Sequence, residues 1–458
     1  MYDFIIKNAR TIRFDSGTEE VRDIYVKGGK IVGKSADEPD AAAEIFDASG
    51  KYVLPGLVDA HAHLQYVGNN GVHADVLCPP SGVTTAVDGG STGWLNYRQF
   101  ADLNELRYVT TVRAFVHVSP FGLLDYPNAE THDPRYIHED RLFELFESCP
   151  KPPVGLKVRM DQTTLENNGL EPLRKAAAIA DAINRAGRRC VLGVHCANLP
   201  ESVRIEDVVD LLRPGDLLVH AFQNKGQTIF DDGGKVIESA RRARARGVYF
   251  DDCHGRVHWS FRTLRRAVAE GFLPDIVSSD VFRGSAFVKP GFSLLHAMCA
   301  VRACGMETID ILRAVTVTPA RALGLDGTAG SLEPGRPADI VVLDVAEKPI
   351  RLFDRYGGET IAQEIFLPLL TLKDVNPIPV IPHKSSMRIT IILKNMYGTA
   401  ANKDMPSVDA MNVPLRLHGT IMLMGSVKLF TAREAFSGRY FILLYNGVIK
   451  VPFIIMEK

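Results

Sequence analysis

Short apolar segments alternate with longer amphipathic segments through most of the chain, and this alternation restricts the fold. From residue 53 onward, helical patterns such as EPLRKAAAIADAINRAG separate segments with the apolar composition of buried strands. The strand-like segments are YVLPGLVDAHAH, VTTAVDGG, VRAFVHVS, VGLKVRM, CVLGVHC, LLVHAF, GVYFDDC and DIVSSD. Eight strands that alternate with helices predict an α/β fold, the (β/α)8 TIM barrel.

Two β-rich segments flank the predicted barrel. Residues 1–52 contain stretches such as DIYVKGGKIVG between Gly and Asp turns, and a similar pattern returns in ADIVVLDV. We predict that residues 1–52 and 336–374 form a small β-sandwich domain and that residues 53–335 form the barrel. Residues 375–458 hold seven of the eleven methionines and do not continue the alternation, so we predict a C-terminal extension of uncertain order.

Charge and cysteine content exclude several classes of protein. A formal net charge of −1 argues against charge-driven binding to nucleic acid or a membrane surface. The stretch MYDFIIKNARTIRFDSG lacks the regions of a signal peptide, and no apolar run is long enough to span a bilayer. Seven cysteines without framework spacing suit a reducing compartment. We therefore predict a soluble, cytoplasmic protein, and the sequence leaves the oligomeric state open, a homo-oligomer included.

Side chains with metal-binding or acid–base chemistry lie at the ends of the predicted strands. In such barrels the carboxyl ends of the strands carry the chemistry. Alternate residues of a strand share a face, so the two histidines of DAHAH project side by side. The strand-end residues are His61, His63, Lys157, His195, His220 and Asp280.

Each of these residues also has a structural interpretation. A lone His-x-His is more often two separately hydrogen-bonded histidines, His195 or His220 alone is more often a core histidine, and Asp280 alone caps a turn. Their joint occurrence favours a metal site, because imidazole and carboxylate are standard zinc ligands. Lys157 fits if its amine has reacted with carbon dioxide, since the carbamate offers two oxygens that bridge two metals. A lowered lysine pKa in a desolvated pocket favours this reaction.

With these motifs identified, the sequence resembles the amidohydrolase superfamily. PGLVDAHAH, GVTTAVDGG, GLKVR, the histidines of strands five and six, the SSD aspartate and TPARALGLDGTAGSLEPGRPADIVVLD occur in the order typical of that family. More narrowly, GLKVR and DDCHGRVHWSF resemble the dihydroorotase-like amidohydrolase/deacetylase metallohydrolases. The resemblance covers residues 1 to about 374.

The resemblance implies ligands for two divalent metal ions, with zinc as the expected metal. The histidines of DAHAH and Asp280 would bind the more buried ion, and His195 and His220 would bind the second. Lys157, carrying a CO2-derived carbamate as N6-carboxylysine, would bridge the two ions.

The resemblance also implies metal-assisted hydrolysis of a small-molecule substrate. The two metals share a water, lower its pKa so that a metal-bound hydroxide attacks, and polarise the substrate carbonyl. Asp280 would act as general acid and base. We predict cleavage of the amide or ester bond of a small acylated metabolite, for example an acetylated one.

Three alternatives stand beside this prediction. Cyclic-amide hydrolysis is the first, although Gln65 replaces the arginine that dihydroorotases and hydantoinases usually carry there. Aminohydrolase deamination is the second. A non-catalytic scaffold is the third and is disfavoured, because all six ligand positions are filled.

Arg159 and His254 are the predicted substrate-binding residues. Arg159 shares a strand face with Lys157 and would bind a substrate carboxylate, and a salt bridge at the barrel rim is the equally weighted alternative. His254 would polarise a substrate oxygen from its loop. We predict that His258 is structural or contacts a helix cap, and that His117 lies in the core.

Overall fold

A computed structural model describes most of the chain as far as residue 378. The chain divides into two compact units, Met1–Val380 and Ile381–Lys458. Most of the predicted C-terminal extension, residues 375–458, lies outside the described residues. The described residues are 1–37, 39–66, 68, 70–124, 130–165, 168–286, 293–373, 376–378, 387–388, 414–415, 420–422 and 452–454.

Within the second unit, the described residues form two short antiparallel strand pairs. Met387–Arg388 pairs with Pro414–Leu415, and Thr420–Met422 pairs with Pro452–Ile454.

Seven parallel strands of the first unit form the predicted barrel wall. The strands that precede it are β1 (Tyr2–Arg13), β2 (Thr18–Lys27), β3 (Lys30–Val32), β4 (Ala42–Asp47) and β5 (Tyr52–Pro55). The barrel strands are β6 (Leu57–Ala62), β7 (Val83–Asp88), β8 (Thr111–His117), β9 (Gly155–Met160), β10 (Val191–Cys196), β11 (Leu217–Val219) and β12 (Tyr249–Asp251). β6 to β12 pair in chain order. Every residue of β6, β7 and β10 is buried, as is typical of strands covered on both faces.

The eighth predicted strand, DIVSSD, closes this wall through isolated bridges. Ile276 pairs in parallel with Asp251 at the end of β12, and Val281 pairs in parallel with Ala62 in β6. The Asp251 carboxylate also accepts a hydrogen bond from Ser278 Oγ, at 2.8 Å to Oδ2. The predicted TIM-barrel fold is confirmed, and its last strand is held by isolated bridges, backbone hydrogen bonds and side-chain bonds instead of a regular ladder.

Helices follow most barrel strands, as the alternating pattern predicts. In α5, the buried residues Leu173, Ala176, Ile179 and Ile183 recur every three or four positions, so one face of the helix packs against the barrel. No helix of the described residues has the length and apolar character needed to cross a bilayer. The α-helices are α1 (Ala74–Leu77), α2 (Tyr97–Arg107), α3 (Glu139–Ser148), α4 (Gln162–Leu165), α5 (Glu171–Arg185), α6 (Ile205–Asp210), α7 (Glu238–Arg246), α8 (Phe261–Ala269), α9 (Leu294–Ala303), α10 (Thr308–Ala314) and α11 (Val317–Ala322). Short 3-10 helices span Pro79–Ser81 and Pro134–Tyr136.

The chain returns to the N-terminal strands after the barrel. The returning strands are β13 (Ile340–Phe353), β14 (Glu359–Lys373) and β15 (Asn376–Ile378). The sheet has the order β15-β14-β13-β5-β1-β2-β3, with β4 paired to β1. β13 runs antiparallel to β5, with Ile340 opposite Pro55. The N-terminal segment and the segment after the barrel therefore form one eight-stranded sheet outside the barrel, and the domain boundaries at residues 52 and 336 remain a prediction.

Candidate metal centre

The first cluster of ligand-type side chains consists of His61, His63 and Asp280. His61 lies in β6, His63 follows it, and Asp280 ends the eighth barrel segment. The Nε2 atoms of His63 and His61 lie 3.2 and 3.7 Å from Asp280 Oδ1. All three side chains are buried, so the structure brings the predicted His-x-His pair and aspartate together at the carboxyl end of the barrel.

Hydrogen bonds from the segment after β7 orient this cluster. His63 Nδ1 lies 2.8 Å from Ser91 Oγ, which turns the other ring nitrogen towards Asp280. The buried Asp88 carboxylate accepts hydrogen bonds from the backbone N–H of Leu64 at 2.7 Å and of Ser91 at 2.6 Å. Asp88 therefore ties the chain that follows the His-x-His pair to the end of the neighbouring strand.

Two of the predicted ligands have left-handed backbone conformations at the ends of their strands. The φ angles are 62° for His220 and 46° for Asp280, in a region that few non-glycine residues adopt. The Asp280 N–H donates to the His61 carbonyl at 2.8 Å. The buried Asp59 carboxylate accepts the Ser279 N–H at 3.0 Å. These bonds hold the strained backbone that places Asp280 beside β6.

The second cluster consists of His195, His220 and His258. Its ring centroids lie 4.4 Å apart for His195 and His220, 4.9 Å for His195 and His258, and 4.2 Å for His220 and His258. The sequence predicts a structural or capping role for His258, but Ser260 is the residue that caps α8, through a hydrogen bond from the Thr263 N–H. His258 is thus the member of the second cluster that sequence reasoning missed.

Lys157 lies in β9 beside the first cluster. Its Nζ atom is 3.3 Å from His61 Nε2, and the residue is 2 % exposed. Burial lowers the pKa of the Lys157 ammonium, because the charged form loses its hydration. A lowered pKa increases the fraction of neutral amine, which is the form that reacts with carbon dioxide.

The protonation states and hydrogen bonds of the histidines fit metal binding. Burial holds the pKa values of His61, His195 and His220 well below their ordinary value, so these imidazoles are neutral. His220 Nδ1 donates to the Cys253 carbonyl at 2.8 Å, which leaves Nε2 as the ligand atom. His195 Nε2 is buried and has no hydrogen-bond partner among the described residues.

The carboxylate of the first cluster also has the charge state of a metal ligand. Burial by itself would raise the pKa of Asp280, but a hydrogen bond from His63 holds this pKa below its usual range. Asp280 is therefore ionised in the same buried site as the neutral imidazoles. Neutral imidazoles together with an ionised carboxylate are a donor set for a divalent cation.

Two consecutive glycines leave room for the first cluster and the lysine. A Cβ atom on Gly89 would lie 2.1 Å from His61 Nε2, and one on Gly90 would lie 2.6 Å from Lys157 Cβ. Gly90 also has a φ of 96°. The Gly-Gly pair at the end of the VTTAVDGG segment is the sequence signal for this close approach.

Arg159, in β9, belongs to a third group of polar side chains. Its guanidinium forms an ion pair with Glu130, whose other oxygen lies 3.0 Å from His117 Nε2. The Ser119 N–H donates to His117 Nδ1 at 3.0 Å, and the Arg159 N–H donates to His132 Nε2 at 3.0 Å. A salt bridge is the alternative to carboxylate binding that the sequence predicts for Arg159, and a substrate contact by Arg159 remains a prediction. His117 is fully buried, in the core position expected for it.

His254, the second predicted substrate-binding residue, is buried outside both clusters. Its Nδ1 lies 3.0 Å from Asp252 Oδ2, and its ring stacks on Trp259 at a centroid distance of 3.6 Å. Its role in substrate binding remains a prediction. Sequence reasoning also missed Cys253, whose sulfur lies within 4.8 Å of ligand atoms of His220 and Asp280.

Comparisons with known proteins identify relatives of this chain. Residues 218–378 match the model of the amidohydrolase family. A deacetylase from Enterococcus faecalis is 28% identical over 81% of this chain and 97% of its own length. A deacetylase from Agrobacterium fabrum is 29% identical over 80% of this chain and 88% of its own length. A dihydroorotase from Bacillus cytotoxicus is 31% identical over 76% of this chain and 90% of its own length.

Two solved structures share the architecture. The crystal structure of an adenine deaminase has a TM-score of 0.74 and 27% identity, over 82% of this chain and all of the other. The crystal structure of a dihydroorotase has a TM-score of 0.74 and 25% identity, over 83% of this chain and 100% of the other.

Proposed function

The chain belongs to the amidohydrolase superfamily, and on this premise we propose that it is a binuclear metal-dependent hydrolase that removes an acyl group, such as acetyl, from a small amide or ester. The observation that carries the proposal is the arrangement of both clusters around the carboxyl ends of the barrel strands, with ligand atoms within 4.8 Å of one another in each cluster. The bond cleaved is a carbon–nitrogen bond outside peptides or the corresponding ester bond.

The two clusters supply the donors for two ions. The first cluster would hold one divalent ion, and His195 and His220 of the second cluster would hold the other. Zinc is the expected ion because the donors are imidazoles and a carboxylate. When bound, two such ions activate a water and polarise the substrate carbonyl.

Lys157 supplies the proposed bridge between the ion sites. Its neutral amine attacks the carbon of carbon dioxide, the nitrogen loses a proton, and the resulting N6-carboxylysine carries two carboxylate oxygens. Burial of the amine favours this step because it lowers the pKa of the lysine. The carbamate is negatively charged and attracts a cation, whereas the ammonium form of Lys157 would repel it.

Asp280 is the proposed general base and acid. Its Oδ1 atom lies 3.2 Å from His63 Nε2, in a buried position at the end of the eighth barrel segment. The carboxylate accepts the proton of the attacking water and returns it to the leaving nitrogen or oxygen. Its backbone bond to the His61 carbonyl keeps the carboxylate in place during both transfers.

Acyl removal is favoured over ring opening by the relatives and by one residue. The two deacetylases named above align with this chain along most of their lengths. Gln65, at the end of the first barrel strand, is neutral and buried, so it cannot pair with a substrate carboxylate as an arginine would. Ring opening of a cyclic amide is the second candidate, because a dihydroorotase is 31% identical over 90% of its length.

The test is a substrate panel with the zinc- and bicarbonate-loaded full chain. We expect acetate release from N-acetylated amino acids or O-acetylated hydroxy acids, its loss in Asp280→Asn, and its retention in Asp140→Asn, an exposed aspartate of α3. Cyclic amides are run in parallel. Ring opening without acetate release would favour the second candidate, and the absence of both activities from protein with two bound ions would contradict the proposal.

We also propose a cytoplasmic location for the enzyme. The support is its cysteine chemistry: in the described part of the chain all seven cysteines are buried free thiols, which is typical of a reducing compartment.

A further inference from the structure

His258 brings a third imidazole to the site of the second ion. We propose that His258 is a ligand of this ion, so that the second cluster binds it through three histidines. The inference rests on the proposed function, because it concerns one of the two ion sites. It adds a ligand from the loop after β12 to the ligands that the strands provide.

The distances within the second cluster are those of side chains that share one ion. One nitrogen from each ring lies within 4.8 Å of the other two. The His220 nitrogen available for this is Nε2, since Nδ1 is occupied by the Cys253 carbonyl. His195 Nε2 is buried without a hydrogen-bond partner among the described residues. The His195 ring lies beside both other imidazoles, and a cation that all three residues contact explains its buried nitrogen.

The neighbours of His258 hold its ring in this position. Trp259 is fully buried, stacks on His254 and packs edge-on against Phe261. Ser260 caps α8, which fixes the chain on the other side of Trp259. The segment is therefore anchored without any contribution from His258, and its partly exposed imidazole lies against His195 and His220.

Three imidazoles are an established ligand set for a zinc ion, and the proposed carbamate of Lys157 would add a fourth donor to the second ion. His258 would therefore strengthen retention of the second ion while the first ion keeps its own ligands. His258 lies on a loop and is partly exposed, whereas His195 and His220 are buried, so it is the most exposed ligand of this set.

The test is zinc binding by the metal-free full chain, measured by chelator competition. Wild type should bind two ions. His258→Phe keeps a ring but has no donor nitrogen. This variant should bind one ion as wild type does and the other at least about 100-fold more weakly. Such a loss would exceed the effect that is typical of losing an outer-shell partner. His258→Glu should restore most of this affinity because its carboxylate is again a ligand. His138→Phe, at an exposed histidine before α3, is the matched control and should bind as wild type does.

Cobalt substitution gives an independent readout. The visible absorption spectrum of the dicobalt protein reports the ligands of each ion, and it should change in His258→Phe and not in His138→Phe. Unchanged zinc affinity together with an unchanged cobalt spectrum in a folded His258→Phe protein would overturn the inference and leave the proposed function intact. A wild-type protein that binds fewer than two ions would contradict the proposed function itself.

Discussion

The guanidinium of Arg159 forms an ion pair with the carboxylate of Glu130, a residue 29 positions earlier in the chain. The Glu130 side chain is 3% exposed and that of Arg159 is 12% exposed. Glu130 also binds His117, so one carboxylate connects β9 with the end of β8. Arg159 is two residues after Lys157 in β9, and the ion pair fixes its positive charge near His195 and His258 of the second cluster.

Glu130→Gln should destabilise the protein strongly. The substitution removes the charge partner of a largely buried arginine, and breaking such a pair costs about 3–5 kcal/mol. The free energy of unfolding from urea denaturation measures the effect. Glu144→Gln is the control, because Glu144 pairs with Arg98 at 3.2 Å with both side chains exposed, and such pairs contribute at most about 1 kcal/mol. Equal losses of unfolding free energy in Glu130→Gln and Glu144→Gln would contradict a stabilising role of the buried Glu130–Arg159 pair.

Stability should fall in acid partly through Glu130. Burial by itself would raise the pKa of Glu130, but the hydrogen bond from His117 and the charge of Arg159 lower this pKa from 4.5 to about 2. A carboxylate with a lowered folded-state pKa stabilises the fold above its unfolded-state pKa, and this stabilisation is lost as the pH falls from about 4.5 towards about 2. The melting temperature of metal-free wild type should therefore drop more between pH 5 and pH 3 than that of Glu130→Gln. Parallel pH profiles would argue against an ionised Glu130.

Gly89→Ala should weaken metal binding at the first cluster. The added methyl group would lie 2.1 Å from His61 Nε2, so the imidazole must move from its position beside Asp280. We expect at least about 10-fold weaker binding of one zinc ion, as for the loss of a positioning contact. Metal content after dialysis against a chelator measures the effect. Gly33→Ala, where nothing lies within 4 Å of the added carbon, should retain both ions.

Lys157→Ala should remove the bridging carbamate and with it the hydrolytic activity. Protein prepared in 13C-bicarbonate should give a carbamate signal in the carbon NMR spectrum that is lost in Lys157→Ala and kept in Lys225→Ala, at an exposed lysine. A fully active Lys157→Ala protein would rule out the carbamate mechanism.

Much of the fold could be predicted because it depends on local patterns. The alternation of buried strands and amphipathic helices predicts the barrel, and the return of β-rich sequence predicts that β13 joins the N-terminal strands. The irregular closure between Ile276 and Val281 could not be predicted, since single bridges leave the same apolar pattern as a regular ladder.

The sequence alone predicts that the six strand-end residues, His61 and Asp280 among them, lie together, and their role as metal ligands remains a proposal. The reason is geometric: parallel strands of one barrel end at the same face, so residues at strand ends converge whatever the loops do. The contacts made by side chains from loops could not be predicted in this way. Glu130 reaches Arg159 across 29 residues, and His258 reaches His195 because Trp259 and Ser260 anchor its loop. Such contacts depend on packing between segments distant in sequence, which leaves no periodic pattern, so only the tertiary structure decides them.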